Sequence, residues 1–145
     1  MRYSQEIEGI FSCDNLSHVK LPLFHANVQA GFPSPAEDYL DQQLDLNQLL
    51  ISHPAATFFV RVAGDSMVNA GITSGDILVV DRALPATTGK IAVVILNSEF
   101  TVKRLCLKDK KILLLPENPS YPVIEVEEGS DFQVWGIVTY VIHKT

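Results

Sequence analysis

IAVVILNSEFTVKRL, residues 91–105, reads as two strands joined by a tight turn. β-Branched and apolar side chains fill both runs, as pleated, half-buried strands favour, and Asn97-Ser98 supplies the polar dipeptide of a hairpin. Downstream, KDKK at 108–111 turns the chain into ILLL, and PVIEV at 122–126 and FQVWGIVTYVI at 132–142 continue the pattern. Upstream, the loop around Pro85 to Gly89 precedes the hairpin, and SGD at 74–76 separates DILVV from TFFVRV at 57–62. The expectation is a mainly β body of about seven short twisted strands, with no internal repeats and no second core.

Before Pro54 the pattern changes. In AEDYLDQQLDLNQLLIS at 36–52, Asp45 is placed to cap a short helix through Leu46, Leu49 and Leu50, which Pro54 ends. Residues 38–44 suit helix or strand equally. Residues 1 to about 35 lack strong periodicity and close on GFPSP, where Pro33 and Pro35 exclude regular helix and keep Ser34 extended. This stretch is expected to be an exposed, flexible arm, leaving at most one or two short helices in the chain.

The chain of 145 residues is 47% hydrophobic and 19% charged, which suits one domain with a short arm and excludes a disordered chain. A net charge of -6 argues against binding nucleic acid through phosphate neutralisation and favours a protein partner. Cys13 and Cys106 lie far apart with no CxxC, and His18, His25, His53 and His143 are scattered, so no metal site is expected. No run approaches the roughly 20 apolar residues of a membrane span. Two reduced thiols in the cytoplasm are the expectation.

Two residues could carry chemistry. Ser66 follows a strand on the small-residue corner Ala63-Gly64-Asp65-Ser66-Met67, where a serine can be held toward a substrate; most Gly-Asp-Ser turns only bond their own backbone. Lys103 is the second, placed by strand alternation on the face of Thr101 and Leu105. Most such lysines are solvated. A lysine acts as a base only when neutral, a form that burial favours, and serine with neutral lysine is a nucleophile and base pair. A Ser-His-Asp triad from His53 or His143 with Asp65, Asp76 or Asp81 competes, but no histidine is tied to Ser66 by position. Glu127 and Glu128 read as a solvated turn beside Gly129, and no glycine-rich phosphate loop is present.

Several stretches together resemble the LexA and UmuD group of self-cleaving serine peptidases, and most closely its UmuD-type mutagenesis proteins. They are VQAGFPSPAEDY at 28–39, DLNQLLISHPAATFFVRVAGDSM at 45–67, GITSGDILVVDR at 71–82, EFTVKRL at 99–105, LLPEN at 114–118 and WGIVTYVI at 135–142. The resemblance implies a single LexA/UmuD-like C-terminal peptidase domain at 31–145, also used for dimerisation, and an arm at 1–30 removed by self-cleavage. It implies Ser66 of GDSM as nucleophile, Lys103 of FTVKR as general base, and backbone N–H groups of Asp65 and Ser66 as the oxyanion hole. The scissile bond it implies is Ala30-Gly31, where small residues leave the carbonyl unhindered. Asp65 would serve through its backbone alone, and Met67 by packing.

No cofactor or metal is implied. The implied partners are a second copy, a UmuC-type Y-family error-prone polymerase in translesion synthesis, and the RecA filament, whose contact stimulates the cut in the SOS response. Tethering would supply the arm at roughly millimolar effective concentration, so a slow catalyst suffices. Repressors of the LexA type carry a helix-turn-helix, and the 30 residues before Gly31 are too short and too weakly helical for one. On the residues alone, a non-enzymatic β-rich interaction module and a peptidase acting on other chains stay open.

Overall fold

The computed structural model describes residues 6–13, 20–24 and 40–145, with side chains placed at 6–13 and 44–145. The chain divides into two compact units, one of Met1–Asp14 with His53–Thr145 and the other of Asn15–Ser52. In chain order the strands are β1 (Ile7–Ser12), β2 (Lys20–Phe24), β3 (Leu40–Asp45), β4 (Thr57–Val62), β5 (Ile77–Asp81), β6 (Ile91–Leu96), β7 (Glu99–Lys108), β8 (Lys111–Leu115), β9 (Ile124–Glu125) and β10 (Phe132–Ile142).

In the smaller unit β2 pairs antiparallel with β3 (Leu40–Asp45), so residues 40–44, part of the stretch left undecided at 38–44, are strand. The helix that follows, α1 (Leu46–Leu50), is capped as expected: the Asp45 carboxylate accepts the N–H groups of Asn47 and Gln48.

In the larger unit one antiparallel sheet runs in the order β1-β4-β5-β10-β6-β7-β8-β9. Its two tight hairpins rest on left-handed residues, Asn97 and Ser98 between β6 and β7 and Asp109 and Lys110 between β7 and β8. Paired positive φ angles match the right-handed twist of the flanking strands, and Asn and Asp tolerate them best among residues other than glycine. Strand β10 pairs with β6 through its first half and β5 through its second, with bulges at Val134/Gly136 and Val138/Tyr140. Bulges sharpen twist, and here they let the sheet curl. Gly136 permits the tightest approach, since a Cβ there would lie 2.5 Å from Val80 Cγ1.

The curl packs β4 and β5 against β6 and β7. Val60, Val62, Leu78, Val80, Val93, Phe100 and Val102 form one core with Met67 and Ile72, while Ala92, Val94, Leu105, Leu114 and Ile137 form a second, which corrects the expectation of a single core. Adjacent β6 residues thus serve different cores, which is why IAVVIL is apolar throughout instead of alternating.

Another expectation needs correction. Residues 7–12 lie within the stretch read as an exposed arm, yet they form edge strand β1, paired with β4 from Ile7↔Val62 to Ser12↔Phe58. Ile7 is only 2% exposed and belongs to the first core, with Ile10 packed against it. Two isoleucines and the open edge of β4 provide both the burial and the ladder that hold this short segment in place.

Candidate active site

Between β4 and β5 the ladder continues through Val62 N–H to the Asp76 carbonyl and Gly75 N–H to the Val62 carbonyl, which leaves residues 63–74 as a closed excursion. Gly64 turns the chain at φ +86°, a backbone state that side chains disfavour. A short 3-10 turn at Val68–Ala70 then ends on Gly71. Met67 drops into the first core and anchors the excursion, so Ser66 beside it is fixed and buried. Met67 thus serves by packing, as expected.

The loop after β8 grips this turn by its backbone. Glu117 N–H donates to the Ser66 carbonyl at 2.8 Å, and Asn69 N–H donates back to the Glu117 carbonyl at 2.9 Å. Asn118 Nδ2 donates to the Asp65 carbonyl at 2.9 Å, and the Tyr121 hydroxyl donates to Asp65 Oδ1 at 2.6 Å. Arg104 steadies the loop from β7, with Nε on Glu117 Oε1 and Nη1 on the Gly89 carbonyl. The Asp65 carboxylate is thereby turned to Tyr121, in line with a residue that serves the turn through its backbone.

Strand β7 brings Lys103 to the same place. Alternation sets it beside Thr101, whose Oγ1 accepts from Nζ at 2.8 Å, and Nζ also donates to Ser66 Oγ at 3.1 Å and to the Val102 carbonyl at 3.1 Å. Both Ser66 and Lys103 are only 4% exposed. A buried ammonium or amine must have partners, and these three lie on the serine and on the strand that carries the lysine.

A third residue joins them. Glu6, just before β1, accepts from Ser66 Oγ at 2.6 Å and from Lys103 Nζ at 2.8 Å through Oε1. Its Oε2 accepts from Thr101 Oγ1, from Val102 N–H at 3.0 Å and from Lys103 Nζ at 3.1 Å. Burial works against the charge of Glu6, but hydrogen bonds from Lys103, Ser66, Thr101 and Val102 outweigh it and hold its carboxyl below the ordinary range. A small, half-open cleft lies here, lined by Glu6, Val62, Gly64, Ser66, Met67 and Val102.

The triad alternative does not form. His53 Nδ1 lies 2.6 Å from Asp81 Oδ2 and His143 Nδ1 lies 2.6 Å from Asp76 Oδ1, so each imidazole is committed to an aspartate at an end of β5 and not to Ser66. Glu127 and Glu128 are exposed.

Residues 22–139 match the family described as Peptidase S24-like. The chain belongs to that family. It is 53% identical over 124 residues to protein SamA of Salmonella typhimurium, covering 86% of each chain. It is 48% identical over 125 residues to protein ImpA of Escherichia coli, covering 86% of this chain and 84% of that one. To protein MucA of Escherichia coli it is 42% identical over 133 residues, covering 90% of each. Family and relatives bear out the reading of a mainly β, self-cleaving serine peptidase of SOS mutagenesis.

Within this S24-like chain the structure brings Ser66 and Lys103 together and sets Asp65 and Ser66 on one turn. Ala30 and Gly31 lie outside the described residues. Sequence reasoning missed Glu6 and the clamp of Glu117, Asn118 and Tyr121. The LLPEN stretch contains Glu117 and Asn118 and was the available signal for the clamp, whereas a lone glutamate in a stretch without periodicity gave none.

Proposed function

We propose that this S24-like peptidase cuts its own Ala30-Gly31 bond with Ser66 as nucleophile and Lys103 as general base. The observation that supports this most is the 3.1 Å contact of Lys103 Nζ with Ser66 Oγ, both buried. In the reaction Ser66 Oγ bonds to the Ala30 carbonyl carbon while its proton passes to neutral Lys103 Nζ. The oxyanion is taken by the N–H groups of Asp65 and Ser66, which the clamp on that turn preorganises. The C–N bond then breaks, Lys103 returns the proton to the Gly31 amine, and water releases the acyl group by the same base.

The released body, 31–145, then works as a homodimer with a UmuC-type Y-family polymerase in copying past lesions, the cut being stimulated by the RecA filament in the cytoplasm. The relatives' family and the negative charge of the chain support a protein partner over direct DNA binding. The test is intact mass after incubation of wild type and Ser66→Ala with activated RecA filament. A single cut at Ala30-Gly31 in wild type alone is expected; a cut in both chains, or in neither, would sink the assignment.

A further inference from the structure

The atoms that must react are already engaged. Ser66 donates its hydroxyl proton to Glu6 Oε1 at 2.6 Å, although the base it needs is Lys103. Lys103 in turn donates to both Glu6 oxygens, at 2.8 and 3.1 Å, so its nitrogen is committed as a donor and not as a proton acceptor. An attacking oxygen needs its carbonyl carbon at roughly 3 to 3.5 Å, and a carboxylate oxygen stands closer than that to Ser66 Oγ.

Glu6 is held there by a strand. Its carbonyl accepts Ala63 N–H at 2.7 Å, continuing the ladder that β1 makes with β4, and Ile7 next to it is buried in the first core. The carboxylate gathers four donors, Ser66 Oγ, Lys103 Nζ, Thr101 Oγ1 and Val102 N–H. Charge-assisted bonds of this kind are about twice as strong as neutral ones, and these are partly buried.

We infer that Glu6 is an internal inhibitor: β1 holds its carboxylate against both the serine hydroxyl and the lysine nitrogen, and the peptidase is silent until that strand lets go. The inference rests on the Ser66 and Lys103 assignment. Glu6 and β1 precede the proposed cut, so one break separates the lock from the body that carries the site. Stimulation then needs no new catalytic group; anything that favours the undocked strand raises the competent fraction.

The opposite role, Glu6 as a base that aids the serine, predicts the opposite sign. Self-cleavage of the full chain is followed by intact mass near neutral pH without any activator, for wild type, E6Q, E6A and the double variant E6A/S66A. E6Q keeps the shape of Glu6 and guards against a folding failure in E6A. Loss of a charge-assisted contact should make both single variants faster by about tenfold or more, and E6A/S66A should not cut. Unchanged or slower cutting in E6Q and E6A, with the double variant silent, overturns the lock and leaves the peptidase assignment standing. Cutting in E6A/S66A overturns the assignment itself. A fluorophosphonate probe reads access to Ser66 without the cleavage segment: Oγ bonds to phosphorus, fluoride leaves, and the proton goes to Lys103. E6Q should label faster than wild type, and equal labelling counts against the lock.

Discussion

Two segments hold the Ser66 turn, and they hold different parts of it. The loop at 117–121 takes the carbonyls of Ser66 and Asp65 and the Asp65 carboxylate, and leaves Ser66 Oγ alone. Glu6 takes Ser66 Oγ and Lys103 Nζ directly. The first grip is mostly neutral hydrogen bonds steadied by an ion pair, Arg104 with Glu117, each about a third exposed. The second is a carboxylate just before edge strand β1, whose sheet neighbour is β4. One therefore preorganises and the other occupies. Preorganisation here is the work of a loop tied to β7 through Arg104, and occupation that of an edge strand, which pairs on one side only and has few bonds to lose.

The largest break in this comparison is Lys103→Ala. Loss of a general base should slow cutting by about 10²- to 10⁴-fold. It should also strand the Glu6 carboxylate beside the core, which costs about 3 kcal/mol when a buried pair loses one member. The double variant K103A/E6Q should recover most of that stability and none of the cutting. Denaturant unfolding and intact mass read the two effects, and a K103A chain as stable as wild type would mean that the ion pair anchors nothing.

Next comes Arg104→Met, aimed at the clamp. The partly exposed pair contributes about 1 kcal/mol or less to stability, so unfolding should change little. Cutting should still fall by about tenfold in an E6A chain, because a loosened Glu117 lets the Ser66 backbone drift, and small displacements of reacting groups are expensive. If clamp and lock are separate, the factors from R104M and E6A multiply. Strong non-additivity would show them to be one network.

Much of this was legible beforehand because it is local. Strands β4 to β10 follow from short β-branched runs and from dipeptides that accept positive φ, and α1 follows from one capping aspartate. Ser66 and Lys103 were legible because each sits inside a recognisable stretch on a strand or at its end. Glu6 was not, since its role depends on β1 pairing with β4 and on contacts to residues 60 and 97 positions away. Short-range pattern carries no information on such a register. The histidines were set aside correctly, but their actual partners were not legible for a similar reason: His53 and His143 bind Asp81 and Asp76, pairings that the strand ends decide.

Acid should open the lock with a smaller effect. The docked Glu6 carboxyl lies below its ordinary value of 4.5, so docking of β1 is stabilised in full above that pH and loses the contribution as pH falls through the lower docked value. The facing groups are Lys103 on β7, the partner cation, and the Tyr121–Asp65 pair on the turn. Amide hydrogen exchange of Ile7–Ser12, referred to Leu78–Val80, should show protection of β1 declining first in acid. In E6Q that decline should vanish, and its persistence would trace it to another group.

The smallest effect belongs to Tyr121→Phe. Its hydroxyl donates to the Asp65 carboxylate, but the ring is well exposed, and the Asp65 carbonyl keeps Asn118 while the Ser66 carbonyl keeps Glu117. Cutting should fall by no more than a few-fold, with unfolding unchanged. The same bond leaves a spectroscopic mark: donation to a carboxylate, with that charge nearby, raises the Tyr121 phenol above its ordinary value of 10.0. Ultraviolet titration should find one tyrosine ionising late, and Asp65→Asn should bring it back. A Y121F chain that cuts as poorly as K103A would place the decisive grip on the Asp65 side chain, and the division between a backbone clamp and a side-chain lock would fail.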